Sequence, residues 1–563
     1  LCKNKDSIVF EKQIDFEKGS RSVFSLEMDF KTLGIKAGDF LEHYFVVKDN
    51  DAVNGPKKTL SKKMFFRSPS KKQLKELDKI KSESQNKSFS SLKKNMLILN
   101  SELNEIKSTL LNKKSLNWED KSSLENFLKG QKKLQKDLEQ LKNSLKKDLD
   151  RDQANKSEEI LKKQEQINKM MEELMSDEMK KLLDELSQLA QKMNKEKVLD
   201  KLDDIDFSQE NMLKELDRTI EHFKKIELEK MAEDIAEELK NLAKKQEDLA
   251  EKTMDKDVLD FKKNQEQEKI KDAFNEIQND LFDLKKKNNE LTNPENINTE
   301  EKENEVNKSI ENSINELSNN KLKKAKEQQS KSSEGMKDLA EAMEKLGGGS
   351  GSEQAEEDLE SLRTLLEHLI SFSLEQEEVL TELKNTKVQD PKYIHVGQGQ
   401  RKLNDKIDII EDSLTALGLR QIMLSSKINK EVQTIKRSLR SSIKSLTERK
   451  TKNAQIEQQK VMMHTNELGL LLSELMNQMQ SNLPGSGQCN KPGGKNKKPG
   501  NGLPKSAEQM KKQIEAMKKF LEDKKAGKNN SPFEQLGRMA AKQAALKKQL
   551  LEMIQEINKD GSG

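Results

Sequence analysis

The chain reads as a mainly α-helical protein of long coiled-coil-like helices and helical hairpins, preceded by the C-terminal half of an immunoglobulin-like β-sandwich. Three observations carry this. After residue 70 the sequence is dominated by Lys, Glu, Leu, Asn and Gln, with almost no helix breakers up to Asn293. Its apolar residues recur there at spacings of three and four. The first 68 residues instead alternate apolar and polar at period two.

The β-like region spans residues 1–69. "FSLEMDF" puts Phe24, Leu26, Met28 and Phe30 on one strand face. "DFLEHYFVVKD" puts Leu41, His43, Phe45 and Val47 on one side and Glu42, Tyr44, Val46 and Lys48 on the other. "SIVFEKQIDF" and "KKMFFRS" add two more strands. About four strands fall short of the roughly seven of an immunoglobulin-like sandwich. The expectation is therefore a fragment whose first strands lie upstream of residue 1. The opening Leu1 fits that expectation.

Pro69 closes the β-like region. From Ser70 to Asn293 there is no proline, and Gly130 is the only glycine. Leu134, Leu138, Leu141, Leu145 and Leu149 form an apolar stripe, continued by Ile160, Ile167, Met171, Leu174, Leu182, Leu186, Leu189 and Met193. A disordered chain of like composition lacks such a stripe. A single rod of residues 70–293 would reach about 330 Å at 1.5 Å per residue. Polar clusters at "QNKSFSS", "KKSLNWEDKSS" and "LDKLDDIDFSQ" point to bends, hence antiparallel hairpins. In "SLNWEDKSSLENF", Asp120 and Ser122 are the candidate N-caps and Trp118 a corner anchor.

Pro294 marks the next break, followed by a helix over 299–346, a Gly/Ser linker at 347–352 and a helical bundle region at 353–483, interrupted at 389–400 around Pro391 and Gly397. Residues 484–505 carry four prolines, six glycines and five lysines with no acidic residue, and read as a disordered basic loop. A C-terminal helical pair occupies 506–560.

Composition excludes several functions. Charged residues make up 36% of the chain, but 104 Lys+Arg nearly cancel 100 Asp+Glu, for a net +4. Interspersed charge lacks the basic surplus of a nucleic-acid binder. Hydrophobic residues are 32%, below the roughly 45–50% of globular domains, which suits helices that bury a narrow stripe. No window is long and apolar enough to span a membrane. The two cysteines, Cys2 and Cys489, have no CxxC partner or neighbouring histidine and read as unrelated thiols.

Candidate chemistry is thin. Asp49, Asp51 and Asn54 in "DNDAVNG" offer alternating oxygen ligands of a kind that suits Ca²⁺. The EF-hand pattern fails, since Asn54 stands where a glycine is needed and Leu60 where a glutamate is needed. A turn with Asx capping and an Asn54-Gly55 pair explains the same residues better. His222, His368, His395 and His464 form no HxxxH or HExxH. "GGGSGS" lacks the lysine and preceding strand of a phosphate loop. No catalytic set, cofactor site or metal site beyond the weak calcium candidate is read. Lys491, Lys495, Lys497 and Lys498 could touch an anionic surface weakly, though a solvated linker is the simpler reading. The methionine clusters "INKMMEELM", "VMMH" and "LMNQMQ" read as core filling.

Several stretches together resemble a known family. They are "QEEVL" at Gln376-Glu377-Glu378, Asp390-Pro391, "IIEDSL" with Ile410-Glu411-Asp412, Arg420-Gln421, Asn429-Lys430-Glu431, "LGLLLSELMNQMQ", "KDNDAVNGPKK", and the Gly/Pro/Lys loop followed by "RMAAKQAALKKQLLEM". Taken in their order along the chain they resemble the bacterial domain of unknown function 4175 family. The resemblance implies membrane-anchored envelope proteins in which transmembrane helices and β-sandwich modules precede extended coiled-coil helices, on the periplasmic side of the inner membrane. It implies a membrane tether upstream of residue 1 and assigns no catalytic residue. The expected function is a cell-envelope scaffold that acts through its helices and self-association, without catalysis of its own. The alternative is a regulatory or ATPase-coupled envelope component serving a catalytic partner.

Overall fold

The computed structural model describes residues 2–3, 7–8, 13–14, 39–49, 55–153, 156–174, 177–255, 258–347, 352–424 and 426–482. The chain divides into two units, Leu1–Ser91 and Leu92–Gly563. The protein is mainly helical.

In the first unit, β1 (Cys2–Lys3), β2 (Ser7–Ile8), β3 (Phe40–His43) and β6 (Met64–Arg67) form a four-stranded antiparallel sheet in the order β2-β1-β3-β6, and β4 (Val46–Lys48) pairs with β5 (Lys58–Leu60). Leu41 is the one fully buried side chain among the described strand residues, and Phe40 stacks on Phe65 with ring centroids 5.4 Å apart. The strands therefore make two small sheets. The run "FLEHYFVVK" is not one strand: it breaks at Tyr44–Phe45, so β3 and β4 serve different sheets. Phe24 to Phe30 lie outside the described residues. Ser70 starts α1 (Lys71–Leu111) with a capping box, its hydroxyl accepting from the Gln73 N–H while Gln73 Oε1 accepts from the Ser70 N–H.

Among the described residues the second unit holds the rest of α1 and eleven further helices: α2 (Trp118–Asp152), α3 (Glu158–Leu174), α4 (Asp177–Gln191), α5 (Lys195–Thr253), α6 (Asp260–Asn288), α7 (Glu300–Ser318), α8 (Leu322–Gly347), α9 (Ser352–Asn385), α10 (Lys392–Arg420), α11 (Ser426–Thr447) and α12 (Thr451–Asn482). α2 carries a reciprocal capping box in which Asn117, not Asp120 or Ser122, is the N-cap, and Asp120 returns the hydrogen bond from the third helical position. Trp118 is 77% exposed and anchors nothing at that corner.

Helices pack in rings of four. α5, α6, α7 and α8 each contact their two neighbours, and α9, α10, α11 and α12 repeat that arrangement. Each ring has its own core. One centres on Leu239, Phe274, Ile310 and Leu339, the other on Leu362, Ile407, Leu439 and Leu472. α3 and α4 pack on the earlier part of α5. The stripe running from Leu134 to Leu186 is buried within the chain except at Leu149, which is half-buried. It ends sooner than its periodicity suggests, at Ala190: Met193 is 42% exposed and has φ 54°, a left-handed residue that stops α4. The stretch 299–346 is not one helix either. It turns at Asn320 (φ 56°), where the Lys321 N–H reaches back to the Glu316 carbonyl at 2.8 Å. Arg449 (φ 59°) makes the same turn between α11 and α12, with the Lys450 N–H on the Ser445 carbonyl at 2.8 Å.

Candidate functional site: a buried polar joint

The densest buried chemistry among the described residues lies where α5 meets α10 and α11. Arg218 and His222 sit one turn apart on α5, so both face the C-terminal end of α10. That end exposes carbonyls without helical partners. Arg218 Nε donates to the Gly418 carbonyl at 3.2 Å, and Nη2 donates to the Leu424 carbonyl beyond the helix. His222 Nε2 lies 2.7 Å from the same Gly418 oxygen. A carbonyl only accepts, so His222 carries its proton on Nε2. Arg218 is 4% exposed and His222 2% exposed.

A second node lies beside it. Glu411 of α10 accepts from Lys214 of α5 at 2.7 Å, from Gln433 of α11 at 2.8 Å and from Lys436 of α11. Lys436 also meets Asp408 at 2.8 Å. Glu215 of α5 accepts from Asn429 and lies 3.6 Å from Arg218 Nη1. Three cations (Lys214, Arg218, Lys436) thus face three anions (Glu215, Asp408, Glu411), which is the condition for burying charge at tolerable cost. Further along α11, Arg437 and Arg440 lie over the Phe207 ring of α5 at 5.4 and 5.0 Å.

The environment sets the protonation states. Burial, reinforced by the Arg218 charge, pushes the His222 imidazole down to about 3, so it stays neutral. Burial alone would raise the Glu411 carboxyl, but hydrogen bonds from Lys214 and Lys436 outweigh it and hold Glu411 below its ordinary value. Glu215 goes the other way: burial raises it despite Arg218. The space among Asn211, Lys214, Arg218, Thr415, Asn429 and Gln433 amounts to about 30 Å³, the share of one water molecule. The arrangement is a clamp: a planar guanidinium fork engages two main-chain carbonyls, and ion pairs flank it.

The residues singled out in the sequence fall elsewhere. Asp49 closes the β4–β5 hairpin: its Oδ1 accepts from the Lys57 N–H at 2.8 Å, and its own N–H donates to the Lys57 carbonyl at 3.1 Å. Asp51 and Asn54 lie outside the described residues, as do Cys489, Lys491, Lys495, Lys497, Lys498 and the expected helical pair 506–560. His464 pairs with Glu431 at 2.6 Å, while His368 and His395 face solvent on α9 and α10. Met171, Met462 and Met476 are buried in cores. The joint itself gave no signal in the sequence. Arg218 sits in "KELDRTIEHF", whose charge pattern matches any solvated helix face.

The chain matches no family model, no curated protein and no solved structure.

Proposed function

We propose that this chain is a structural and interaction scaffold of the bacterial cell envelope, of the domain of unknown function 4175 type, with no catalysis of its own. In this reading residues 1–69 belong to an immunoglobulin-like module, a membrane tether lies upstream, and the helices lie on the periplasmic side. The observation that carries the proposal is how the buried charges are used. Asp152 meets Lys230, Glu229 meets Lys163, Asp358 meets Arg420, and Glu411 meets Lys214 and Lys436. Each pair ties one helix of the chain to another. Buried charge invested in helix-to-helix geometry is what a scaffold of fixed shape requires.

Self-association is part of the proposal. Most Leu, Ile and Met residues of the described helices are buried within the chain, so copies would meet through the charged outer faces and separate at high salt. Light scattering on the purified chain across a concentration series tests this. The expected result is a mass above that of one chain at low salt, reverting to one chain at high salt. A single-chain mass at every concentration would remove self-association from the proposal, and steady ATP turnover by the pure chain would overturn the non-catalytic reading.

A further inference from the structure

The α5–α8 and α9–α12 rings share more than their topology. One constant interval relates Val306 to Ile435, Ile310 to Leu439, Ser313 to Ser442, Leu317 to Leu446, Ala325 to Ala454, Gln329 to Gln458 and Leu339 to Leu468, and every one of these residues is at most 4% exposed. The left-handed turn residues Asn320 and Arg449 obey the same interval.

Each ring also contains the same buried amide network. In the first, Gln246 of α5 and Gln267 of α6 exchange two hydrogen bonds, both 2.9 Å, and Gln329 of α8 donates to Gln267 Oε1 at 3.0 Å. In the second, Gln376 of α9 and Gln400 of α10 exchange bonds of 3.2 and 2.8 Å, and Gln458 of α12 donates to Gln400 Oε1 at 2.7 Å. All six glutamines are 0% exposed. A buried polar layer costs desolvation that a leucine layer would not. Its recurrence with the same donors and acceptors calls for a reason other than stability.

The apolar seam supplies that reason. α5 and α8 are joined through small residues: Ala236, Ala243 and Ala250 on one side, Ser333 and Ala340 on the other. Ser333 Oγ reaches the Ala243 carbonyl at 3.0 Å. The three alanines recur every seventh residue, so sliding α8 along α5 by one heptad, about 10 Å, again sets small against small. The connection from α6 to α7 covers residues 289–299, long enough for such a slide once its exposed bonds to Glu221 and Lys224 of α5 part. The amide layer opposes it: out of register, buried Gln329 loses its bond to Gln267 and the 2.8 Å bond it accepts from Thr253, while the Gln246–Gln267 pair stays intact.

We infer that α5–α8 and α9–α12 are two copies of one unit, and that the glutamine layer in each is a register lock fixing one helical hairpin axially on the other. The lock selects a single alignment from a seam that tolerates several.

The test uses the full chain with Cys2 and Cys489 changed to serine. Ala243→Cys with Ser333→Cys reports the native register. Ala236→Cys with Ser333→Cys reports a one-heptad slip. With the glutamines intact, mild oxidation should give the 243–333 disulfide and essentially no 236–333 product. Changing Gln246, Gln267 and Gln329 together to leucine should raise the 236–333 product about tenfold or more, the ratio expected from losing one buried hydrogen bond. A triple variant that keeps its helical circular dichroism signal and yields only the native disulfide overturns the inference. Should the triple variant lose that signal, Gln267→Leu alone decides, since Gln267 touches both other amides. A raised slip product then supports the lock, and the parental pattern overturns it.

Discussion

A β-carbon added at Gly418 would stand 3.3 Å from Nε of Arg218 and 3.1 Å from Cδ2 of Leu424. The glycine lets α5 approach the end of α10 closely enough for the Arg218 fork to close on two carbonyls. Within a helix, Gly→Ala ordinarily gains about 1 kcal/mol. At Gly418 the gain meets an arginine held by two hydrogen bonds that cannot retreat. Gly418→Ala should therefore lower the urea midpoint, whereas Gly397→Ala on the same helix, with nothing within 4 Å, should raise it by the equivalent of about 1 kcal/mol. Equal shifts for both would show that the joint tolerates a methyl group.

His222 should make the fold sensitive to mild acid. Its folded value is depressed to about 3, against about 6.5 when unfolded. Between those values the unfolded chain binds a proton that the folded chain refuses, so stability falls as pH falls through this window, by about 1.4 kcal/mol per unit. His222→Gln keeps a donor for the Gly418 carbonyl and removes the titration. The decline in Tm from pH 7 to pH 5 should be shallower in that variant; identical slopes would refute the assignment.

Ion pairs in this chain differ in worth by their setting. Glu411→Gln strips the negative charge from beneath Lys214 and Lys436 and should cost about 3 kcal/mol in chemical denaturation. Lys162→Ala removes a pair with Glu158 on an open helix face and should leave the denaturation midpoint where it was. A small effect at Glu411 would mean that the joint is more hydrated than its geometry implies.

Trp118, the only tryptophan, gives a direct optical check. At 77% exposure its emission should peak close to that of free indole in water and hardly move on unfolding. A blue-shifted native spectrum would place the indole against a surface, in self-association or otherwise.

Much of the helical plan is legible in the sequence, because the lack of Pro and the single Gly between Ser70 and Asn293, together with the Leu/Ile/Met spacing, report directly on backbone freedom and on burial. The turns at Met193, Asn320 and Arg449 escape such a reading. Met193 and Arg449 are left-handed residues without a glycine, so nothing in the local composition marks them, while Asn320, of a type that tolerates this conformation, lies among other asparagines and does not stand out. Sequence alone does not single out Asn117 as the cap, because Asp120 and Ser122 are equally good cap chemistries and only the helix start decides among them. The glutamine layers and the Arg218 joint were hidden for one reason: a polar residue on a helix is counted to the solvent side, and only the packing of a second helix reverses that. One clue was present, namely the equal spacing of Ser313 to Gln329 and Ser442 to Gln458.

The 59 residues of α5 extend about 90 Å without interruption, and they are shared property. Their early turns complete the packing of α3 and α4, and their late turns form one wall of the α6–α8 ring. Neither group can melt while the other keeps α5 intact along its whole length, so heat should find them a single cooperative block. The α9–α12 ring owns all four of its helices and, among the described residues, meets α5 at the joint, at Phe207 and through the exposed Lys444–Asp200 pair. It is the part of the chain that can come away first, and the Arg218 fork sets how much thermal energy that departure takes.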